Sequence, residues 1–313
     1  MSASSVSATG DSSRVDGAAL SVVIASWSGG DHLIRCLESL EPQLGSEEVI
    51  VALNFPFSST EEIRRRFPHA RFLQAPPGTS VFHLRAMGAA ATTRQLIALI
   101  EDHVTVGPNW VGALADAHRR GHGIVGGPVD NGLRQRAFDW ALFFCEYGVH
   151  MPPVPEGPVG LVSGVNVAYD RDLLAQCRLI WQESFQEHEI NDALKPAGHE
   201  PYMIPDAWVA SHLPMSLSEA MEHLFTGGRH FARYRASQSS PLKRLLWIAA
   251  SPAVPLVLFS RITRRVAARN PAQLRHLVRG LGYFTLVLGA WSVGEIAGYL
   301  GAMRTGPTRA RAS

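Results

Sequence analysis

Cysteine is scarce in this sequence of 313 residues, and its charges nearly balance. The three cysteines are scattered without CxxC spacing, which excludes a disulfide framework or a zinc site and favours buried thiols in a reducing compartment. The formal net charge of +2 excludes nucleic acid as the main partner, because that partner requires a strongly basic face. The GxGxxG dinucleotide fingerprint and the P-loop lysine are also missing from the first predicted strand–helix turn.

Residues 1–19 lack an apolar core and are rich in Ser, Ala, Gly and Asp. We therefore expect a disordered tail there instead of a signal peptide, so that any catalytic part stays in the cytoplasm. With 46% hydrophobic and 18% charged residues, the composition is typical of a folded protein. The length allows one large domain and an appendage.

Apolar runs alternate with helical segments through the first hundred residues. The runs at 20–25, 48–53, 70–73 and 96–100 predict strands, and the segments at 33–40, 60–67 and 81–92 predict helices. Strands and helices that alternate in this way form βαβ units. The sequence therefore predicts an α/β fold with a mostly parallel central sheet.

The strand predicted at 96–100 stops at three consecutive polar residues, Glu101, Asp102 and His103. Ligands of open α/β sheets bind beyond the carboxyl ends of such strands. Carboxylate oxygen and imidazole nitrogen both suit a divalent cation, which could hold a phosphorylated ligand there.

Several short motifs resemble those of the family 2 glycosyltransferases, which share the GT-A fold. In order over residues 20–215, they are SVVIASWS at 21–28, CLESL at 36–40, LRAMGAA at 84–90, EDH at 101–103, GPNW at 107–110, VSGVNVAY at 162–169 and FQEHE at 185–189. The conserved order makes the resemblance more specific than any one motif. The Gln-x-x-Arg-Trp signature of processive synthases is missing, so the resemblance implies a non-processive enzyme.

The resemblance implies a nucleotide-sugar donor bound at the first strand–helix turn and at the end of the strand that precedes Glu101. Asn54 stands where the family usually carries an acidic residue. Arg85 and Arg229 are candidates for the diphosphate, Arg229 because it follows two glycines, although Arg85 could instead pair with a surface acid. The donor-binding residues expected are Ala25, Ser26, Trp27, Asn54, Arg85, Glu101, Asp102 and Arg229.

The resemblance places the metal motif at 101–103. Asp102 and His103 are the expected ligands of Mn²⁺ or Mg²⁺, and an imidazole ligand favours manganese. His212 follows the last predicted core strand and is either a further ligand or a surface histidine.

The FQEHE motif implies the catalytic base. On a helix, Glu187 would face Asn191, and His188 would face Asp192, which could orient the imidazole as a base. The sequence leaves both Glu187 and His188 open as the base. The resemblance also implies acceptor binding near Gly164 and Asn166.

The composition becomes apolar and basic after about residue 237. The apolar segment at 245–260 is short and contains two prolines, and an arginine-rich connector joins it to a second segment at 281–303. We expect a monotopic or re-entrant region on the cytoplasmic face of the cell membrane, because two spans would place the arginines outside. A soluble helical subdomain is the alternative. Small residues repeat every four positions along the second segment and could pack helices either within the hairpin of the two apolar segments or between protomers: Ala290, Gly294, Gly298 and Ala302.

The expected organisation is a tail at 1–19, a GT-A catalytic domain at 20–236, a helical membrane-associated region at 237–303 and a basic tail at 304–313. The expected function is metal-dependent, inverting transfer of a sugar from a nucleotide sugar to a lipid-linked or cell-envelope glycan acceptor. Two alternatives are a degenerate transferase domain serving as a membrane scaffold and a nucleotidyltransferase. A nucleotidyltransferase should show a basic residue in a glycine-rich first turn, and residues 26–30 lack it.

Overall fold

The computed structural model describes residues 20–304, except residues 57, 59, 214 and 238. The tail expected at 1–19 and residues 305–313 of the basic tail lie outside the described residues. The strands are β1 (Leu20–Ser26), β2 (Glu48–Leu53), β3 (Ala70–Gln74), β4 (Leu96–Glu101), β5 (Val104–Val106), β6 (Ile124–Gly126), β7 (Val129–Asn131), β8 (Gly157–Pro158), β9 (Asn166–Asp170), β10 (Tyr202–Met203) and β11 (Val209–Ser211). The helices are α1 (Gly30–Leu40), α2 (Glu61–Arg66), α3 (Val81–Ala91), α4 (Trp110–Arg119), α5 (Ala137–Glu146), α6 (Arg171–Gln176), α7 (Arg178–Trp181), α8 (Glu187–Leu194), α9 (Leu217–Ser237), α10 (Pro241–Ala250), α11 (Val254–Arg269), α12 (Leu274–Arg279) and α13 (Leu281–Arg304).

The first four strands are parallel neighbours, as the sequence predicts. The described residues form a large sheet in the order β3-β2-β1-β4-β9-β6-β10-β8, in which β9 runs antiparallel to β4 and to β6. Strand β1 is buried along its whole length, because sheet neighbours flank it and helices cover both faces. Its register pairs Ala25 with Glu101, which sets the first turn beside the end of β4.

A small sheet in the order β5-β11-β7 covers the carboxyl end of β4. Strand β5 follows Glu101 after only two residues and pairs antiparallel with β11. The backbone N–H of His212 donates to the carbonyl of His103 at 2.7 Å. The backbone at 101–103 is therefore fixed from both sheets.

Helix α1 confirms the helix predicted at 33–40, and one face of it buries Leu33, Cys36, Leu37 and Leu40. All three cysteines are free thiols, of which Cys36 and Cys177 are buried, as expected, whereas Cys145 is only partly buried.

The C-terminal helices pack closely on the α/β part of the chain. Phe284, Val287 and Leu288 of α13 belong to the main hydrophobic core. A Cβ at Gly294 or Gly298 would overlap the backbone carbonyls of Phe225 and Arg229 in α9. The small-residue stripe of α13 thus faces α9 of the same chain, which lies outside the expected hairpin, and not the other apolar segment. The change in composition near residue 237 is not a break in packing.

Two helical stretches within the described residues are long and apolar enough to cross a membrane, judged by length and composition alone: Pro241–Arg269 and Leu281–Met303. Only 11% of the apolar window of the first is buried in the protein, against 39% for the second. Many leucines therefore stay on the surface, including Leu242, Leu246 and Leu256 at 68%, 61% and 76% exposure.

Candidate active site

Asp102 holds the turn between β1 and α1. Its Oδ2 accepts hydrogen bonds from Ser26 Oγ at 2.8 Å and from the backbone N–H groups of Ser28 at 2.8 Å and Gly29 at 2.9 Å. Gly29 has a φ of 68°, a conformation that favours glycine. Burial raises the pKa of Asp102 to about 6, although the hydrogen bonds from Gly29 and Ser26 oppose the shift. Its Oδ1 is buried without a hydrogen-bond partner among the described residues.

Glu101 points to the opposite side from Asp102 and is buried in a polar cluster. Its Oε2 accepts from Trp27 Nε1 at 2.8 Å, and its Oε1 forms an ion pair with Arg85. Burial favours the neutral carboxyl, but the Arg85 guanidinium and His103 outweigh it and lower the pKa of Glu101. Glu101 is therefore ionised at neutral pH.

Arg85 joins the end of β4 to the start of α8. This guanidinium also donates from Nη1 to Glu187 Oε2 at 3.2 Å, so one buried cation bridges two carboxylates. A Cβ at Gly164 would overlap Arg85 Nη1 and would lie 2.7 Å from Glu187 Oε2. The glycine expected near the acceptor thus leaves room for this bridge.

His103 is buried beside Glu101, with its two ring nitrogens in different surroundings. Nε2 lies 3.2 Å from the Tyr147 hydroxyl, and Nδ1 lies 3.4 Å from Glu101 Oε2. Burial lowers the pKa of His103 to about 4 against the opposing effect of Glu101. The imidazole is therefore neutral at pH 7, the form that can bind a metal ion.

Glu101, Arg85 and His103 line one cavity of about 550 Å³, whereas Asp102 does not line it. Its polar lining from the predicted set comprises Trp27, Asn54, Arg85, Glu101, His103, Gly164 and Glu187. Its other wall carries residues that the sequence analysis missed: Glu146, Tyr147, His150 and His223. Glu146 and Tyr147 carry a sequence signal, because they form a polar pair directly after the apolar run at 140–145.

The remaining donor-turn residues contact the protein itself. The Ala25 carbonyl accepts from the Asp102 N–H at 3.2 Å, and Ser26 is fully buried. Asn54 lines the cavity, and its Nδ2 donates to the Thr79 carbonyl at 2.9 Å.

Helix α8 begins at Glu187, but the pairing of His188 with Asp192 that such a helix could allow does not form. Both side chains are exposed, and neither lines the cavity. Asp192 Oδ2 accepts from the Tyr234 hydroxyl at 3.4 Å, and the Tyr234 ring lies edge-on to His188 with the centroids 6.0 Å apart. Tyr234 of α9 thus occupies the space between them.

Asn166 also differs from its expected environment. It is fully buried, its Oδ1 accepts from Trp110 Nε1 at 2.8 Å, and its Nδ2 donates to the Ala207 carbonyl at 2.7 Å. All its described contacts are within the protein, so the structure places it in the core beneath the cavity wall.

His212 and Arg229 lie outside the cavity lining. His212 Nε2 lies 3.1 Å from Thr105 Oγ1. The glycines before Arg229 do not form a phosphate-binding loop, because they lie inside α9, where a Cβ at Gly228 would overlap the backbone of Trp291. This corrects the reason for assigning Arg229 to the diphosphate.

The fold and this cavity define a GT-A enzyme with a carboxylate–imidazole motif at the end of its fourth strand. A family model described as Glycosyl transferase family 2 matches residues 21–177, about half of the chain. The chain therefore belongs to the family 2 glycosyltransferases and is a glycosyltransferase. No curated protein gives a significant match to the sequence.

Solved structures resemble the chain in fold at low sequence identity. The mannosyltransferase PcManGT from Pyrobaculum calidifontis, in complex with GDP-Man and Mn²⁺, has a TM-score of 0.50 at 13% identity, covering 93% of this chain and 87% of that one. GalNAc-T7 with UDP, GalNAc and Mn²⁺ gives 0.49 at 14% identity and 63% coverage, and this chain spans 44% of it. Residues 1–349 of S. aureus TarS give 0.47 at 12% identity, covering 92% and 90% of the two chains.

Proposed function

We propose that this enzyme transfers a sugar from a nucleotide-sugar donor by a metal-dependent, inverting and non-processive reaction. The observation that carries the proposal is the single cavity in which Arg85 joins Glu101 of the metal motif to Glu187 of the base motif. A scaffold without activity would have no reason to keep this buried charged network, which costs desolvation energy. A nucleotidyltransferase would lack a role for Glu187.

The residues present fit a divalent cation. Three carboxylates, Glu101, Glu146 and Glu187, face one guanidinium among the described lining residues, so the cavity carries a formal charge of −2 before its histidines are counted. A diphosphate could not enter such a cavity without a compensating cation. Glu101 Oε2 and His103 Nδ1, 3.4 Å apart, are close enough to bind one ion.

We therefore propose Glu101 and His103 as the metal ligands, in place of the expected pair Asp102 and His103. Asp102 turns toward the first loop, and His212 is bonded to Thr105. The described residues contain no cluster of three or more His, Cys, Asp or Glu that could hold an ion. Two protein ligands suit Mn²⁺ or Mg²⁺, whose remaining ligands are commonly substrate phosphates and water. When bound, the cation supplies Lewis-acid stabilisation of the departing diphosphate.

Glu187 is the proposed base. It lines the cavity, whereas His188 does not, and Arg85 fixes its carboxylate. The Glu187 carboxylate takes the proton of the acceptor hydroxyl while that oxygen bonds to the anomeric carbon. The bond from this carbon to the diphosphate breaks, and the nucleoside diphosphate leaves. A single displacement of this kind inverts the anomeric centre.

Screening nucleotide sugars by thermal shift tests the donor class. We expect one nucleotide sugar to raise the melting temperature with Mn²⁺ present, and less so with EDTA, because specific binding stabilises the fold. The same donor should be hydrolysed slowly in the presence of Mn²⁺. If no nucleotide sugar shifts the melting temperature under either condition, the proposal is wrong.

We also propose that the C-terminal helices lie in the cytoplasmic face of the cell membrane and that the acceptor is a lipid-linked or cell-envelope glycan. The exposed leucines of α10 and α11 supply an apolar surface, and Arg261, Arg264, Arg275 and Arg279 are exposed near it for anionic headgroups. Pro252 lies in the short turn Ser251–Ala253 between α10 and α11, which suits an in-plane bend.

Cysteine labelling of intact cells tests this placement. In a background without Cys36, Cys145 and Cys177, Ala268→Cys in the connector should resist an impermeant maleimide until the cells are permeabilised. Glu62→Cys, an exposed position on α2, is the cytoplasmic control. Efficient labelling of Ala268→Cys alone from outside would show that the connector crosses the membrane.

A further inference from the structure

Glu146 and His223 form a second carboxylate–imidazole pair in the active-site cavity, one that the mechanism above leaves without a role. His223 Nε2 lies 3.4 Å from Glu146 Oε2, and both residues line the cavity. The His223 side chain is 50% exposed, so its ring is open to a ligand.

Glu146 lies at a position where a positively charged partner would stabilise it. Glu146 is the last residue of α5, at the negative end of the helix dipole, where a carboxylate is unfavourable and a cation is favourable. The hydrogen bond with Glu146 raises the pKa of His223 above its ordinary value, against the effect of burial, and the charge of Glu101 adds to the rise. The imidazole therefore keeps its proton to a higher pH than a free histidine.

The other basic side chains of the cavity are either paired with carboxylates or assigned another role, or they carry no charge. Arg85 is shared by two carboxylates. His103 is a proposed metal ligand, and burial lowers the pKa of His150 to about 4, so that ring is neutral. An imidazole that retains its proton is a poor base for an acceptor hydroxyl but a good hydrogen-bond donor to an anion.

We infer that His223, held by Glu146, donates a hydrogen bond to a phosphate oxygen of the donor diphosphate. The inference rests on the proposed function, since it takes the donor to be a nucleotide diphospho-sugar. The inference places one residue of the donor site on α9, which lies outside the region that the family model matches.

Binding of inorganic pyrophosphate with Mn²⁺, measured by calorimetry, tests the inference on the full chain. His223→Gln should weaken binding about tenfold, the size of one lost charge-assisted hydrogen bond. Glu146→Gln should weaken it less, and His223→Lys should retain most of it because a cationic donor remains. His230→Gln, an exposed histidine on the same helix outside the cavity lining, is the matched control and should bind as the wild type does.

The outcomes separate this inference from the proposed function. If the wild type binds no pyrophosphate with Mn²⁺, both are wrong. If the wild type and His223→Gln bind it equally, only the role of His223 is wrong. Normal pyrophosphate binding by His223→Gln with a raised KM for the acceptor would assign the pair to the acceptor and overturn the inference. Melting temperatures close to that of the wild type, together with the Glu146→Gln result, guard against misfolding of a single variant.

Discussion

Replacing Glu187 with glutamine is expected to lower turnover about 10²- to 10⁴-fold while the KM for the nucleotide sugar stays near the wild-type value. The amide can still accept a hydrogen bond from Arg85 but cannot take the acceptor proton. Proton removal is needed only in the transition state, so donor binding should survive. Steady-state kinetics with the donor identified by thermal shift would give both quantities.

The matched control is His188→Gln, one residue further along α8. His188 is exposed and outside the cavity lining, so this variant should keep near wild-type turnover. Loss of turnover in His188→Gln with an active Glu187→Gln would reverse the assignment and identify the imidazole as the base.

Removing either Glu101 or His103 should weaken Mn²⁺-dependent donor binding about 100-fold or more, because even second-shell changes cost 10- to 100-fold in metal affinity. Glu101→Gln and His103→Ala are the informative variants, with Mn²⁺ affinity measured by calorimetry in the presence of the nucleotide. The control variant is Asp102→Asn, at the residue that lies between Glu101 and His103 in the sequence. It should keep most of the Mn²⁺ affinity and lower the melting temperature instead, since Asp102 Oδ2 accepts three hydrogen bonds that hold the first turn.

A different pattern would change the ligand set. If Asp102→Asn loses Mn²⁺ binding and Glu101→Gln keeps it, the pair expected from the sequence is the correct one. If all three variants bind the nucleotide equally well with and without Mn²⁺, the enzyme neutralises the diphosphate without a divalent ion at this position.

Much of the fold could be read from local patterns. The strands β1, β2, β3 and β4 and the helix faces between them follow the periodicity of buried residues, which depends only on neighbours in the chain. The sequence did not predict that α13 packs on α9, because apolar segments near a basic connector look the same whether they contact lipid or another helix.

For the residues of the candidate site, too, the sequence predicted the local features and not the tertiary contacts. The sequence showed that polar groups follow β4 and that the FQEHE motif is polar, and both features are local. It could not show which of Glu101 and Asp102 faces the ligand, since adjacent side chains differ in direction and the direction depends on what surrounds them. The backbone N–H groups of the first loop orient the Asp102 side chain, and the ion pair with Arg85 orients the Glu101 side chain.

The sequence by itself determined the class of this protein: an α/β enzyme with a carboxylate–imidazole motif at a strand end, a base motif farther on and an apolar, basic C-terminal region. Only the tertiary structure decided the partners of these groups. It joined Glu187 to Glu101 through Arg85, set His188 against Tyr234, and brought Glu146 and His223 together from helices that are far apart in the chain. The physical reason is that hydrogen bonds and ion pairs depend on distances of a few ångströms, which packing sets and sequence spacing does not.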